Sequence, residues 1–126
     1  MGSHIAAANL KLKRAYEPAT ADDGTRVLID RLWPRGVSKV HAAIDLWLKE
    51  LAPSTELRTW FGHEPARWAE FQTRYADEIK QQPELFKQLR DLALQGRVTL
   101  VYAAHDEAHN DAVVLHSLLL GRGKPG

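Results

Sequence analysis

Two stretches decide how this chain folds: Arg26-Val-Leu-Ile-Asp-Arg-Leu32 and Arg97-Val-Thr-Leu-Val-Tyr-Ala103. Each places three or more apolar or β-favouring residues in a row, with no polar residue alternating between them. That is the pattern of a strand covered on both faces, as in a parallel sheet. Parallel strands need long connections, and the residues between the two stretches are accordingly rich in helix signals. Asp45 to Leu51 reads as a helix stopped by Ala52-Pro53, and Ser54 then caps a short helix that runs to Trp60-Phe61 and closes at Gly62. Pro65 opens a helix with Trp68, Phe71, Tyr75 and Ile79 on one face. Pro83 opens another, carrying Leu85, Phe86, Leu89, Leu92 and Ala93, and Gly96 ends it. A last helix from about Asn110 to Leu120 follows the second strand and ends at Gly121.

Upstream of the first stretch, Leu10 to Tyr16 begins with alternating apolar and basic residues, which predicts an edge strand with one wet face. Glu17 to Thr25 holds Pro18, Asp22, Asp23 and Gly24 and reads as a loop. Strand, helices, strand, helix predicts an α/β fold: a small parallel or mixed central sheet with helices on both faces, in a single domain spanning 10–120. Residues 1–9 are expected to be loosely ordered or tag-like, with Gly2-Ser3-His4 as a possible cloning remnant, and 121–126 to form a tail.

Composition narrows the function classes. The chain has 126 residues, 44% of them hydrophobic, with 17 basic residues, 16 acidic residues, six His and no Cys. Zero Cys excludes disulfides, thiolate metal sites and cysteine nucleophiles. A net charge of +1 gives no general attraction to nucleic acid. The basic surplus is nevertheless local: Asn9 to His41 carries seven basic residues against four acidic ones, and the remainder carries ten against twelve. The longest apolar run, within Ala112–Leu120, is interrupted by His116 and Ser117, so no membrane span is expected. Ile5 to Ala8 is too short for a signal peptide, and a cytoplasmic location is expected.

In parallel sheets ligands sit beyond the carboxyl ends of the strands, which selects the loops Asp30–Lys39 and Tyr102–Asp111. In the first, Arg31 and Arg35 offer guanidinium forks to a carboxylate or phosphate, Gly36 permits close approach and Trp33 can form a wall. Asp30, at a buried strand end, must be paired, have a raised pKa or open into a cleft. It pairs with Arg31 or Arg35, or it acts as a base. In the second loop His105 and His109 lie four apart among Asp106, Glu107 and Asp111. The spacing misses the zinc helix motif, and acidic residues at a helix start are explained by the helix dipole, so no metal and no cofactor is expected. Either His105 or His109 remains a candidate acid or base. Tyr102 and Asn110 complete the set, giving Asp30 and His109 as candidate catalytic residues and Arg31, Trp33, Arg35, Gly36, Tyr102 and Asn110 as candidate ligand-binding residues. Trp47, Trp60 and Trp68 are expected in the core, and His41, His63 and His116 at the surface or as caps.

These residues resemble the YeaO-like family, a branch of a bacterial domain-of-unknown-function superfamily. The resemblance runs from about Leu10 to Leu120 through Asp30-Arg-Leu-Trp-Pro-Arg-Gly36, Trp47-Leu-Lys-Glu-Leu-Ala-Pro-Ser54, Trp60-Phe-Gly-His63 and Val98-Thr-Leu-Val-Tyr-Ala-Ala104, with Glu107, His109, Asn110 and Ala112-Val-Val-Leu115. It implies no particular reaction. The superfamily's other branch carries Asp-x-Arg at the first strand end and a Cys, then Cys-His-Arg, at the second. Here Arg31 follows Asp30 directly, Tyr102 takes the first Cys place, and Asn110, Asp111 and Ala112 take the three that follow. The loop between Tyr16 and Arg26 is too short for a helical crossover, so the first strand is expected to pair differently from its counterpart. The functional expectation is a pocket for a small anionic or polar molecule. An enzyme at the same cleft, a hydrolase or transferase, is the alternative, and nucleic-acid binding through the basic N-terminal third is the least favoured.

Overall fold

A computed structural model describes residues 4–121. Four parallel strands, β1 (Leu10–Arg14), β2 (Thr25–Leu28), β3 (Leu46–Trp47) and β4 (Val98–Tyr102), form one sheet in the order β1-β4-β2-β3. The two uninterrupted apolar stretches are the two central strands, paired with each other from Thr25 opposite Val98 to Leu28 opposite Val101. Central strands are buried from both sides, so neither needs a polar face. β1 lies at an edge, paired with β4 from Leu10 opposite Val98 to Arg14 opposite Tyr102.

The two faces of the sheet are covered unequally. Leu10, Val27, Ile29, Val98, Leu100 and Tyr102 point to one side, where they meet buried residues of α2 (Thr55–Phe61), α3 (Trp68–Lys80), α4 (Pro83–Gln95) and α5 (Asp111–Leu119) in a single core. The opposite face has only a small cluster of Ala15, Leu28 and Val101 with Trp33 and Ile44 against it. On that side, among the described residues, α1 (Lys39–Ala42) is a single turn whose Ala42 carbonyl accepts from Arg26 Nε at 2.9 Å.

That second face also holds the crossover. Ala15–Gly24 carries the chain from β1 past β4 to β2, closed by a 3-10 turn at Ala21–Asp23. Asp23, fully buried, fastens it to all three strands: its carboxylate accepts from Lys11 (3.1 Å) and Lys13 (3.0 Å) of β1 and from Arg26 (2.6 Å) of β2, and its carbonyl accepts from Thr99 Oγ1 of β4 at 2.8 Å. The expected wet face of β1 is therefore largely an internal ion network. At Gly24 φ is +63°, and a Cβ would overlap the Arg97 carbonyl oxygen, so the turn into β2 accepts only glycine.

The expected helix over Asp45–Leu51 is corrected. Leu46–Trp47 is the outer strand β3, followed by a 3-10 turn at Lys49–Leu51. Asp45 N donates to Arg26 O (2.9 Å) and Leu48 N to Leu28 O (2.9 Å), while Asp45 Oδ2 takes Arg26 N at 2.8 Å. Hydrogen bonds to β2 replaced the intrahelical ones. The residues alternate to match, with Leu48 buried and Trp47 exposed, so Trp47 is not a core residue; it packs edge-on against Trp33 and donates from Nε1 to Asp30 O at 2.7 Å.

The other helix boundaries follow their local signals. Ser54 Oγ caps α2 by accepting from Leu57 N, Gly62 closes it in the left-handed region, and Asn110 Oδ1 caps α5 by accepting from Val113 N. Before β1, Ile5 is buried in the main core and Ala7–Asn9 forms a 3-10 turn, so the chain joins the fold ahead of its first strand. Met1–Ser3 and residues 122–126 of the expected tail lie outside the described residues. No described helix is long and apolar enough to cross a membrane.

Candidate functional site

At the carboxyl ends of β2 and β4 opens a cleft of about 990 Å³. Its rim and walls come from the segment after β2, from α2, and from the loop between β4 and α5. Asp30, Arg31, Trp33, Arg35, His109 and Asn110 all line it. Gly36 and Tyr102 do not. Gly36 serves the turn in which Val37 N donates to Pro34 O, with φ +79° and nothing near its missing Cβ. Tyr102 is buried in the helix-side core, where strand alternation points it.

Asp30 sits where the β2 ladder ends. Ile29 N still donates to Val101 O, and one residue later the Asp30 carboxylate takes over by accepting from Ala103 N at 2.9 Å. It pairs with neither neighbouring arginine. Its partner is Asp111, the first residue of α5, whose carboxyl lies within hydrogen-bonding reach of it. Burial pushes both groups above the ordinary carboxylate range, Asp111 much the further, because the Asp30 charge stands beside it. The helix N-terminus favours an anion at Asp111, and its Oδ1 accepts from Ala112 N at 2.8 Å, but burial and the second carboxyl outweigh that help. Arg58 of α2 is the cation that opposes both carboxyls.

The arginines divide by what holds them. Arg31 is occupied: Nε donates to Pro53 O (3.1 Å), Nη2 to Ala52 O (3.2 Å), and Glu50 lies 3.8 Å from Nη1. The guanidinium groups of Arg35 and Arg58 make no hydrogen bond or ion pair among the described residues, and both line the cleft. Asn110 is likewise occupied, its Oδ1 in the α5 cap and its Nδ2 donating to Asp106 O at 2.8 Å. Asp106 organises the loop by accepting from Ala108 N, His109 N and His109 Nδ1; the bond with His109 holds its carboxyl below the usual range. The His109 ring stands edge-on to Trp68. Trp33 closes its own segment by donating Nε1 to Val37 O at 2.7 Å, leaving its ring as a wall.

Arg58, Asp111 and His63 were not anticipated. Asp111 was legible only as a helix-start acid, and its meeting with Asp30 is tertiary. Arg58 had a usable signal: with Leu57 and Phe61 buried, it lies on the flank of α2 beside the buried stripe. His63, expected at the surface, follows Gly62 with φ +58°, and this pair of left-handed residues brings it to the cleft. Phe61 and Phe71, stacked at 4.4 Å between α2 and α3, back the same cavity. Among the described residues no three His, Asp or Glu side chains converge in the manner of a metal site.

A family model described as the inactive DUF488-N3 subclade matches residues 9–124, nearly the whole chain. The chain belongs to that subclade. Among its relatives is the uncharacterised protein YeaO of Escherichia coli (strain K12), 45% identical over 107 residues that cover 85% of this chain and 93% of that one. Uncharacterised proteins of Mycobacterium bovis and Mycobacterium tuberculosis are each 42% identical over 113 residues, 90% of this chain and 95% of theirs. No solved structure matches. The YeaO-like resemblance thus holds, and Tyr102 and Asn110 of this chain are a core tyrosine and a helix cap.

Proposed function

We propose that this domain is a cytoplasmic binding module whose cleft captures a small anionic ligand on Arg58 and Arg35. The single observation that carries this reading is that these two guanidinium groups line the cleft without side-chain partners while Arg31, beside them, is fully engaged. A guanidinium at a concave apolar wall recognises carboxylates, sulfonates and phosphates by paired hydrogen bonds. The family's description as an inactive subclade supports binding over turnover. The basic N-terminal third supports nucleic-acid binding poorly, because Lys11, Lys13 and Arg26 surround Asp23 and Arg14 donates to the carbonyls of Ala103 and Ala104.

Titration with sulfate, phosphate and simple carboxylates, followed by Trp fluorescence, tests the reading. Arg58→Ala and Arg35→Ala should each weaken anion binding by about tenfold or more, the value of a charge-assisted hydrogen bond. Unchanged affinity in the double variant would refute it. The Asp30–Asp111 pair favours a second reading, a hydrolase or transferase with Asp30 or His109 as base, because paired carboxyls of unequal proton affinity are the equipment of acid–base catalysis. Turnover of phosphate esters or nucleotides that vanishes in Asp30→Asn is its signature.

A further inference from the structure

The crossover that leaves β1 sets a ring at the edge of the cleft. Ala15 N donates to Tyr102 O at 2.7 Å, extending the ladder by one residue, and the chain then turns, with Glu17 N donating to Arg14 O and Arg14 N to Glu17 Oε2, each at 3.0 Å. Tyr16 sits in that turn, 42% exposed, and lines the cleft. We propose that Tyr16 is the platform for a flat aromatic ring carried by the bound anion, so that the cleft selects aryl or heteroaryl anions over aliphatic ones of equal charge. This rests on the anion-binding reading above and adds the body of the ligand to its charge.

The ring is held from both loops that form the cleft. Its hydroxyl donates to Arg35 O at 3.1 Å, which ties it to the segment carrying one of the two unpartnered guanidinium groups. Arg14 Cζ stands over the ring, 5.0 Å from its centroid, and Arg14 is itself fixed by donating to Ala104 O (2.9 Å) and Ala103 O (3.2 Å), in the loop after β4. Arg14 does not line the cleft, so it backs the ring from outside. A ring fixed at its tip and covered on one face has little rotamer freedom left to lose when a ligand ring packs on the rest of it.

The neighbouring wall has the same character. Trp33 donates Nε1 to Val37 O, in the turn that holds Arg35, and Trp47 packs edge-on against it at 5.6 Å. The polar atoms of Tyr16 and Trp33 are thus spent on backbone carbonyls of 35–37, and what the two rings present beside Arg35 is π surface with no donor left to satisfy. Phe61 and Phe71 shape the back of the cavity, but they are 6% and 2% exposed and stacked on each other, so neither has a face to give. His63, His105 and His109 also line the cleft and are the rival rings.

Benzenesulfonate, cyclohexanesulfonate and methanesulfonate are the probes, each a permanent monoanion, with affinities read by calorimetry. The first two match in size and differ in flatness. Apolar burial alone favours the cyclohexyl ring, whereas a platform favours the phenyl ring. Benzenesulfonate should bind about threefold to tenfold more tightly than cyclohexanesulfonate, the value of an aromatic pair beyond its buried area. Tyr16→Leu, an apolar replacement at an exposed position, should remove that preference, and Tyr16→Phe, which loses only the bond to Arg35 O, should keep it. Because the preference is a ratio, any shared loss from a displaced Arg35 cancels. If none of the three binds, or if binding ignores both Arg58→Ala and Arg35→Ala, the anion-binding reading and this inference fall together. Arginine-dependent binding in which cyclohexanesulfonate equals or exceeds benzenesulfonate, or a preference that survives Tyr16→Leu and so belongs to the imidazoles or Trp33, overturns this inference alone.

Discussion

Asp23 is the residue on which the crossover depends. Burial alone would raise its pKa, yet the Thr20 amide and the charged groups of Lys13, Lys11 and Arg26 hold it well below the ordinary range. Removing one partner from a buried ion network leaves the others uncompensated, so Asp23→Asn should cost about 3–5 kcal/mol, read as a lower urea midpoint. Arg26 would be affected most, since it is itself buried and its Nη2 already finds no partner among the described residues. The next residue makes a separate prediction. Gly24→Ala must push the Arg97 carbonyl aside at a φ that disfavours a side chain, and it should lower the melting temperature by several degrees or prevent accumulation of folded protein, whereas Gly36→Ala, which meets nothing, should cost far less.

At the level of elements, the cleft is held by two capped helices. Ser54 both caps α2 and bonds to Glu78 of α3, through its amide at 2.8 Å and its hydroxyl at 2.6 Å, so the cap also fixes the angle between the two helices. Asn110 caps α5 and ties down the Asp106 carbonyl, and the turn it stabilises sets Asp111 against Asp30. Asn110→Ala should therefore cost about 1–2 kcal/mol in thermal or urea unfolding and also weaken anion binding. Asn110→Ser, which retains a cap acceptor, should recover most of the stability. Equal stability for both variants would show that the cap contributes nothing to α5.

For the whole molecule, the two acidic clusters pull stability in opposite directions with pH. The folded-state pKa of Asp23 is depressed, so it contributes stability above the unfolded carboxylate value of about 3.9 and loses it as pH falls toward its folded value. Asp30 and Asp111 are raised, so their contribution is complete below that same value and is lost as pH rises through their folded pKa values. The unmodified chain should accordingly be most stable in mildly acidic solution. Asp111→Asn should flatten the alkaline side of the stability curve and raise stability at neutral pH, while Asp23→Asn should flatten the acid side. Urea midpoints of the three proteins across pH check both limbs, and an unchanged alkaline limb in Asp111→Asn would contradict the buried-pair assignment.

What the sequence determined by itself was local. Apolar runs without alternation marked β2 and β4, and Ser54, Gly62, Pro83 and Asn110 set helix ends because caps and proline act through neighbouring backbone groups. The strand-end rule selected the two loops that border the cleft. The short segment Leu46–Trp47 misled because three leucines and a tryptophan in six residues fit a helix stripe as well as an edge strand, and only β2 beside it decides between them. Tertiary structure alone decided the sheet order, the pairing of β1's lysines with Asp23 of the crossover, and which arginine stays available. It also decided that Asp30 and Asp111, on opposite sides of four α-helices in the chain, line one cleft and are both pushed above the ordinary carboxylate range, because that depends on burial and on the distance between charges, and neither is a property of a residue's neighbours in sequence.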